Sequence, residues 1–220
     1  MLEVVKPGLE TSIQDYPGRI GYLNLGFPWS SAMDSWSLRL ANVLVGNNPG
    51  AAGLECQYIG PSLKAQQETT IAITGADMQA KVDGVDVPMW ESVAIKAGQT
   101  LEMTFAKTGT RGYVAFAGGI NSPEFLGARA TFHKAGVGGI DGHAIQEGQV
   151  IPVGTGNGNP GRKVKESARP QIATDKQWQI EVVRGPNDDW IDEAGHERFL
   201  STQWKLSAKS DRSGFRLEGP

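Results

Sequence analysis

Three stretches of this 220-residue chain put acids and arginines where they could converge on a small polar ligand. In Gln14-Asp15-Tyr16-Pro17-Gly18-Arg19 a strand ends, a Pro-Gly turn follows, and Arg19 stands four residues past Asp15. A guanidinium suits a carboxylate or carbamate because its planar fork donates two parallel hydrogen bonds. The competing reading is an Asx-type turn braced by an internal ion pair. The second stretch runs from Gly26 to Asn42, a loop of small residues leading into a helix start. Free backbone N–H groups and the positive end of the helix dipole favour an anion there. Ser31, Met33, Asp34, Arg39 and Asn42 are its candidate substrate contacts, together with Gln14 and Arg19 from the first stretch. Asp15 and Asp34 are the candidates for orienting a proton or a water. A capped amphipathic helix lying against a barrel would use the same residues. The third stretch, Ser210-Asp211-Arg212-Ser213-Gly214-Phe215-Arg216, is either a second anion-handling loop or a solvated hairpin tip.

Several other chemistries lack their residues. There is no Gly-x-Gly-x-x-Gly after a strand, no Walker phosphate loop, no Gly-x-Ser-x-Gly elbow and no biotin-bearing Met-Lys-Met segment. His133, His143 and His196 are scattered without metal-ligand spacing, so no metal is expected. The single cysteine, Cys56, has an acidic neighbour and no local cation to activate it, and reads as a packing residue.

The elements that must position these residues are short. The 29 glycines and 12 prolines call for many tight turns. Strands are expected at 2–5, 71–74, 101–105, 112–116 and 178–183, at the spacing of a barrel or sandwich. Asp83-Gly84 between apolar residues is the clearest hairpin turn. A helix is expected over 32–45, with Ser31 as N-cap, Asp34 at its third position, Gly46 as its stop, and Trp36, Leu40, Val43 and Leu44 on one face. A weaker helix is expected over 188–200. The polar run 154–170 reads as a linker dividing a β domain, 1–153, from an incomplete second β domain, 171–220. That tail carries Trp178, Trp190, Phe199, Trp204 and Phe215, yet is too short for a core of its own. A formal charge of −3 offers no basic stripe for nucleic acid. No membrane span and no secretory signal are expected, and the cytoplasm is the expected compartment.

Read together, Gln14-Asp15-Tyr16-Pro17-Gly18-Arg19, Ser31-Ala32-Met33-Asp34, Leu38-Arg39-Leu40-Ala41-Asn42 and Val45-Gly46-Asn47 resemble the allophanate hydrolase subunit 2 family of biotin-dependent carboxyltransferases. The resemblance continues through Arg111-Gly112-Tyr113, Ala117-Gly118-Gly119-Ile120, Leu126-Gly127, Gly138-Gly139 and Ser210-Asp211-Arg212. It implies a mainly β, cyclophilin-like barrel with one well-defined helix, followed by part of a second β domain. It also implies a subunit 1-like protein partner and a small amide or lactam substrate. The leading implied role is a subunit of an ATP-dependent 5-oxoprolinase-type hydrolase, with ATP held by a partner subunit and no cofactor held by this chain. Two alternatives stay open: the carboxyltransferase part of a urea carboxylase-like enzyme, with biotin on a partner, and a non-catalytic module that binds the subunit 1-like partner. Two departures stand out. Ser31 replaces the glycine usual at its position, and a Gln-Thr-Thr-Gly-Gly-Tyr-Pro-like segment found further along in the free-standing subunits is absent.

Overall fold

Residues 71–74 and 112–116 are rich in β-branched and aromatic side chains, which fill a pleated surface well. They lie in adjacent antiparallel strands at the heart of a sheet. The structure is a computed structural model that describes residues 1–156, 158–172 and 177–219. It divides into two units, Met1–Asp175 and Lys176–Pro220.

In chain order the first unit contains β1 (Leu2–Lys6), β2 (Glu10–Gln14), α1 (Ser35–Leu44), β3 (Gly53–Gln57), β4 (Ser62–Ala65) and β5 (Thr69–Asp77). There follow β6 (Lys81–Val82), β7 (Val85–Asp86), β8 (Ser92–Ile95), β9 (Thr100–Glu102), β10 (Thr108–Phe116) and β11 (Val150–Ile151). One antiparallel sheet has the order β2-β3-β10-β5-β8 and the other β11-β1-β4-β9-β6-β7. Leu2, Val4, Leu63 and Leu101 from one sheet meet Ile13, Leu54, Ile71, Ile73, Val114 and Phe116 from the other in a single core. Each fully buried aliphatic side chain contributes roughly 1.5–3 kcal/mol, so this barrel interior is the main source of stability. Cys56 is buried in that core, as expected of a packing residue, and burial pushes its thiol up to about 12. The expected hairpin is present: Asp83 and Gly84 take φ of 48° and 82°, and Val82 pairs with Val85.

Alternation along the central strands decides where the helix goes. Ile71 and Ile73 of β5, and Val114 and Phe116 of β10, point into the barrel. Their neighbours Ala72 and Ala115 pack on the outer face with Ala41, Leu44 and Val45 of the α1 region. Small residues on both sides let the helix approach closely. A Cβ on Gly53 would stand 3.0 Å from Leu38 Cδ1.

This corrects the expected helix face. Ser37, Leu38, Ala41, Asn42 and Leu44 are buried, whereas Trp36 and Val43 are exposed. Choosing the bulkiest residues misreads a contact that favours compact ones. The start is corrected too: Asp34 is the N-cap, accepting from the Ser37 backbone N–H, and the Ser31 hydroxyl bonds the Asp15 carbonyl instead. The stop at Gly46, with φ of 81°, agrees with expectation.

Segment 154–170 does not hang free as a linker would; Asn157 within it lies outside the described residues. The Asn159 carbonyl accepts from the Ser92 hydroxyl at 2.8 Å, Val164 N–H donates to the Trp90 carbonyl at 3.0 Å, and the Val164 side chain is buried. Glycines make the close approach possible, since a Cβ on Gly156 would fall 2.4 Å from the Gly118 nitrogen. Its polar composition serves a strap whose backbone, more than its side chains, makes the contacts.

The second unit contains α2 (Glu193–Ser201), β12 (Lys205–Leu206) and β13 (Leu217–Glu218), the two strands forming an antiparallel pair. A one-turn helix at Asp188–Trp190 precedes α2, so the expected 188–200 helix is broken near Ile191. The expected strand at 178–183 is not formed. Its alternating Trp178, Ile180 and Val182 are all exposed, and a lone strand gains nothing from alternation until a neighbour pairs with it. Among the described residues of this unit only Ser207 is buried.

Candidate functional site

Asp15 follows directly on β2, where the chain leaves the barrel. Its carbonyl accepts from the Ser31 hydroxyl at 2.8 Å and from Ala32 N–H at 3.2 Å, which ties the helix-entry loop to this strand end. Its Oδ2 accepts from Arg129 N–H at 2.6 Å, which holds the loop after β10. Oδ1 is buried and unpartnered. Burial raises the Asp15 pKa; the Arg129 N–H, the Arg19 charge and the Ala130 N–H offset part of that rise. A carboxyl with a raised proton affinity and one unengaged oxygen is suited to taking up or giving a proton.

Asp15 lines a cleft of about 280 Å³ together with Tyr16, Asn48, Gly50, Glu124 and Arg129. Arg129 Nη2 pairs with Glu124 at 3.1 Å and its Nη1 donates to the Ser122 carbonyl. The opening is thus rimmed by an acid, a base and backbone amides, the inventory of a small polar ligand site. A larger hollow of about 510 Å³ lies in the second unit, lined by Arg184, Glu193, His196 and Glu197. Arg184 and Glu193 are already joined there at 2.8 Å, and no buried unpartnered side chain belongs to its lining. Chemistry outweighs size, and the Asp15 cleft is the candidate site.

The other expected site residues divide into frame and remainder. Arg19 is wholly buried; its Nε donates to the Phe125 carbonyl at 3.1 Å and its Nη2 to the Ala130 carbonyl. It braces the 125–130 loop from inside, and burial lowers its pKa despite the favourable charge of Asp15. Gln14 is buried too, donating to the Ser12 hydroxyl and the Thr131 carbonyl. Asn42 donates to the Ala51 carbonyl at 2.7 Å and accepts from Asn47, which makes it a brace for the turn after α1. Asp34 is engaged by Ser37, through both its backbone N–H and its hydroxyl. These four, expected as substrate ligands or catalytic acids, each have hydrogen-bond partners within the protein. Met33 presents its side chain to solvent while its N–H bonds Glu55 at 2.8 Å. Arg39 stacks on Tyr16 and Trp36, at 4.9 and 5.7 Å from the ring centroids. Asp15 is thus bonded by Ser31 and feels the charge of Arg19, and Arg39 stacks on the adjacent Tyr16.

Ser210, Asp211 and Arg212 belong to the second unit. Asp211 accepts from Ser213 N–H at 2.7 Å and bridges to Gly214, and the Ser210 hydroxyl accepts from Arg216 N–H at 2.9 Å. That is the tip of a hairpin.

Two features escape a reading of the sequence. Glu124 and Arg129 sit in a glycine-rich loop where spacing carries no face information. Glu55 is the other: 1% exposed, it accepts from Arg111 Nη1 at 2.7 Å, Tyr113 Oη at 2.9 Å and Met33 N–H at 2.8 Å. Tyr113 Oη accepts in turn from Asp34 N–H at 2.7 Å. Burial and the Glu55 charge raise the Tyr113 pKa, so the phenol stays protonated and donates. Strand alternation is the signal that could find it, since Glu55 lies between the core residues Leu54 and Cys56 and directly across from Tyr113. Among the described residues no group of three or more His, Cys, Asp or Glu could hold a metal ion, and no helix is long and apolar enough to cross a membrane.

Residues 25–220 match the family model described as carboxyltransferase domain, subdomain A and B. Urea amidolyase of Saccharomyces cerevisiae is 38% identical over 226 residues, covering all of this chain and 12% of that protein. A 5-oxoprolinase subunit of Escherichia coli is 33% identical over 223 residues, covering all of this chain and 69% of that protein. The crystal structure of the Kluyveromyces lactis urea carboxylase superposes with a TM-score of 0.92 at 36% identity, over the whole chain and 20% of its own length.

Proposed function

This chain belongs to the carboxyltransferase subdomain A and B family, and from that premise we propose that it is one component of a multi-part enzyme acting on a small amide, of the 5-oxoprolinase type. The observation that carries this reading is the Asp15 carboxyl, buried at the cleft with Oδ1 unengaged. A lactam is stabilised by resonance, so opening it requires activation of the carbonyl, addition of water to the carbonyl carbon and delivery of a proton to the departing nitrogen. Asp15, protonated more readily than an ordinary carboxyl, supplies the proton. Arg129 and Glu124 at the rim, with the backbone of 48–52, orient the amide.

Activation by ATP belongs to a partner subunit in this reading. The cleft is too poor in cations to receive a triphosphate, because its one arginine is already paired with Glu124. The subunit 1-like protein of the same family system is the proposed partner.

The test is a reconstitution with partner subunits, ATP and 5-oxoproline, read as glutamate released. Asp15→Asn is expected to lower kcat by about a hundredfold or more, the usual share of a general acid. Full activity in Asp15→Asn, or no glutamate at all from the wild-type complex, overturns the proposal. The 38% identity to a urea amidolyase and the TM-score of 0.92 to a urea carboxylase favour a second reading, carboxyl transfer from carboxybiotin to a urea-like amide. Biotin-dependent fixation of labelled bicarbonate onto urea, in place of glutamate release, would select it.

A further inference from the structure

Glu124 and Arg129 meet across a tight hairpin at the rim of the Asp15 cleft. Phe125 N–H donates to the Ala128 carbonyl at 2.8 Å, and Ala128 N–H donates to the Phe125 carbonyl at 3.3 Å. Leu126 and Gly127 between them take φ of 51° and 73°, positive at both central positions as a type I′ turn requires. The next residues out, Glu124 and Arg129, then stand opposite one another on the two arms, within side-chain reach. Glu124 Oε1 and Arg129 Nη2 are 3.1 Å apart.

The two partners are held unequally. Arg129 N–H donates to Asp15 Oδ2, its carbonyl accepts from Gly139 N–H at 2.8 Å, and its Nη1 donates to the Ser122 carbonyl. The Glu124 side chain is 57% exposed, against 26% for Arg129, and makes no other hydrogen bond or ion pair among the described residues. The guanidinium is a fixed part of the rim, and the carboxylate is a counter-ion laid against it from the solvent side. Both line the cleft, where they set a donor edge beside an acceptor edge with no net charge between them. A primary amide carries an acceptor and a donor and can meet both edges. A carboxylate of the same size carries acceptors only. To reach Nη2 it must displace Glu124 or lie beside it and be repelled.

We infer that Glu124 sets the charge preference of the cleft: by occupying Arg129 it makes the rim favour a neutral amide group over a carboxylate. The inference rests on the reading of the Asp15 cleft as an amide site and adds to it the residue that selects the reacting group. It concerns the amide group itself, whichever molecule carries it. Arg129 is the cation that an anion entering the cleft would seek, and Glu124 is the one side chain that competes for it from within the lining.

The experiment titrates acetamide and acetate, matched in size and different in charge, into the full chain at neutral pH. Binding is read from the NMR shifts of the Gly127 and Arg129 amides, both in the lining. The wild type should bind acetamide more tightly than acetate. Glu124→Gln should raise the ratio of acetate to acetamide affinity about threefold, within the range of one exposed ion pair. Glu124→Asp keeps the charge and should stay close to the wild-type ratio. The side chain lies mostly in solvent, so neither substitution removes a buried contact, and Asp15 is common to all three proteins. An unchanged or lowered ratio in Glu124→Gln, or an equal rise in Glu124→Asp, removes Glu124 as the selector and leaves the cleft standing. A wild type that takes acetate as tightly as acetamide does the same. If neither probe shifts these amides, the cleft reading fails and this inference goes with it.

Discussion

Replacing Glu55 tests whether the buried carboxylate on β3 holds the helix-entry loop to the barrel. Its Oε2 accepts from Met33 N–H and Tyr113 Oη, and its Oε1 from Arg111 Nη1. In Glu55→Gln the side-chain shape persists, and the amide oxygen can still serve Met33 and Tyr113. The amide nitrogen then faces Arg111 donor to donor. A hydrogen bond to a charged group is worth about 1.5–3 kcal/mol, but Arg111 is 15% exposed and water can replace part of it. The expected loss is therefore near the lower bound, roughly 1–2 kcal/mol. Glu55→Ala removes these acceptor contacts and leaves the Tyr113 hydroxyl proton without its acceptor. Breaking a buried charged pair costs roughly 3–5 kcal/mol, and that is the expected range here. The assay is native-state hydrogen exchange on the β10 amides, which reports the first unit separately from the second. Adding Arg111→Gln to Glu55→Gln should restore part of the loss, with a coupling of about 1 kcal/mol. If Glu55→Ala and Glu55→Gln both cost under about 0.5 kcal/mol, or the coupling is zero within error, the network does not hold the loop.

Two further perturbations follow from the same frame. The native pKa of Asp15 is raised, so the folded chain holds an extra proton between the ordinary carboxylate value and that raised value. Stability from this group is present at low pH and lost as pH climbs through the window; Asp15→Asn does not titrate. The wild-type melting temperature minus that of Asp15→Asn should therefore fall as pH rises from about 4 toward neutrality, and a difference that is flat with pH refutes the assignment. Gly138 sits at φ +75°, and a Cβ there would stand 2.1 Å from the Ala130 carbonyl oxygen and 2.5 Å from Arg19 Nη2. Gly138→Ala should cost roughly 1–3 kcal/mol from backbone strain alone and speed exchange of the Ala130 and Thr131 amides. Unchanged exchange there would show that the loop accommodates the methyl group.

How far the sequence can be read depends on the range of the physics involved. The Asp83-Gly84 hairpin, the stop at Gly46 and the two central strands follow from local backbone preferences, and they are present as expected. The face of α1 does not follow from periodicity, because the deciding quantity is the separation between helix and sheet, set by Gly53, Ala72 and Ala115 far along the chain. Alternation over 178–183 states what a strand would bury and not whether a neighbour exists to pair with it. At the site, Ser31 bonds the Asp15 carbonyl and Arg19 acts on the Asp15 charge, whereas Ser210, Asp211 and Arg212 belong to the second unit. Gln14, Arg19 and Asn42 make bonds to backbone atoms of other segments, and no spacing rule distinguishes such a bond from one to a substrate.

That division clarifies what the arginines and acids of the early segments accomplish together. Arg19 and Asp15 each hold a different part of the 125–130 loop, one through the carbonyls of Phe125 and Ala130, the other through Arg129 N–H. Each is buried in a way that disfavours its charge, and the two charges partly relieve one another. Removing one partner would leave the other buried and uncompensated, which is costlier than losing both. The loop that forms one rim of the cleft is thus fixed by the same pair that sets the proton affinity of Asp15. Ser31, standing where the family's usual glycine would be, adds a hydroxyl bond to the Asp15 carbonyl and so joins the helix-entry loop to that pair. A substitution at Arg19 would therefore reach the cleft by two routes, through the position of the rim and through the protonation of Asp15. The pH profile separates them, because displacement of the rim lowers activity at every pH, whereas a change in the Asp15 proton affinity moves the profile along the pH axis.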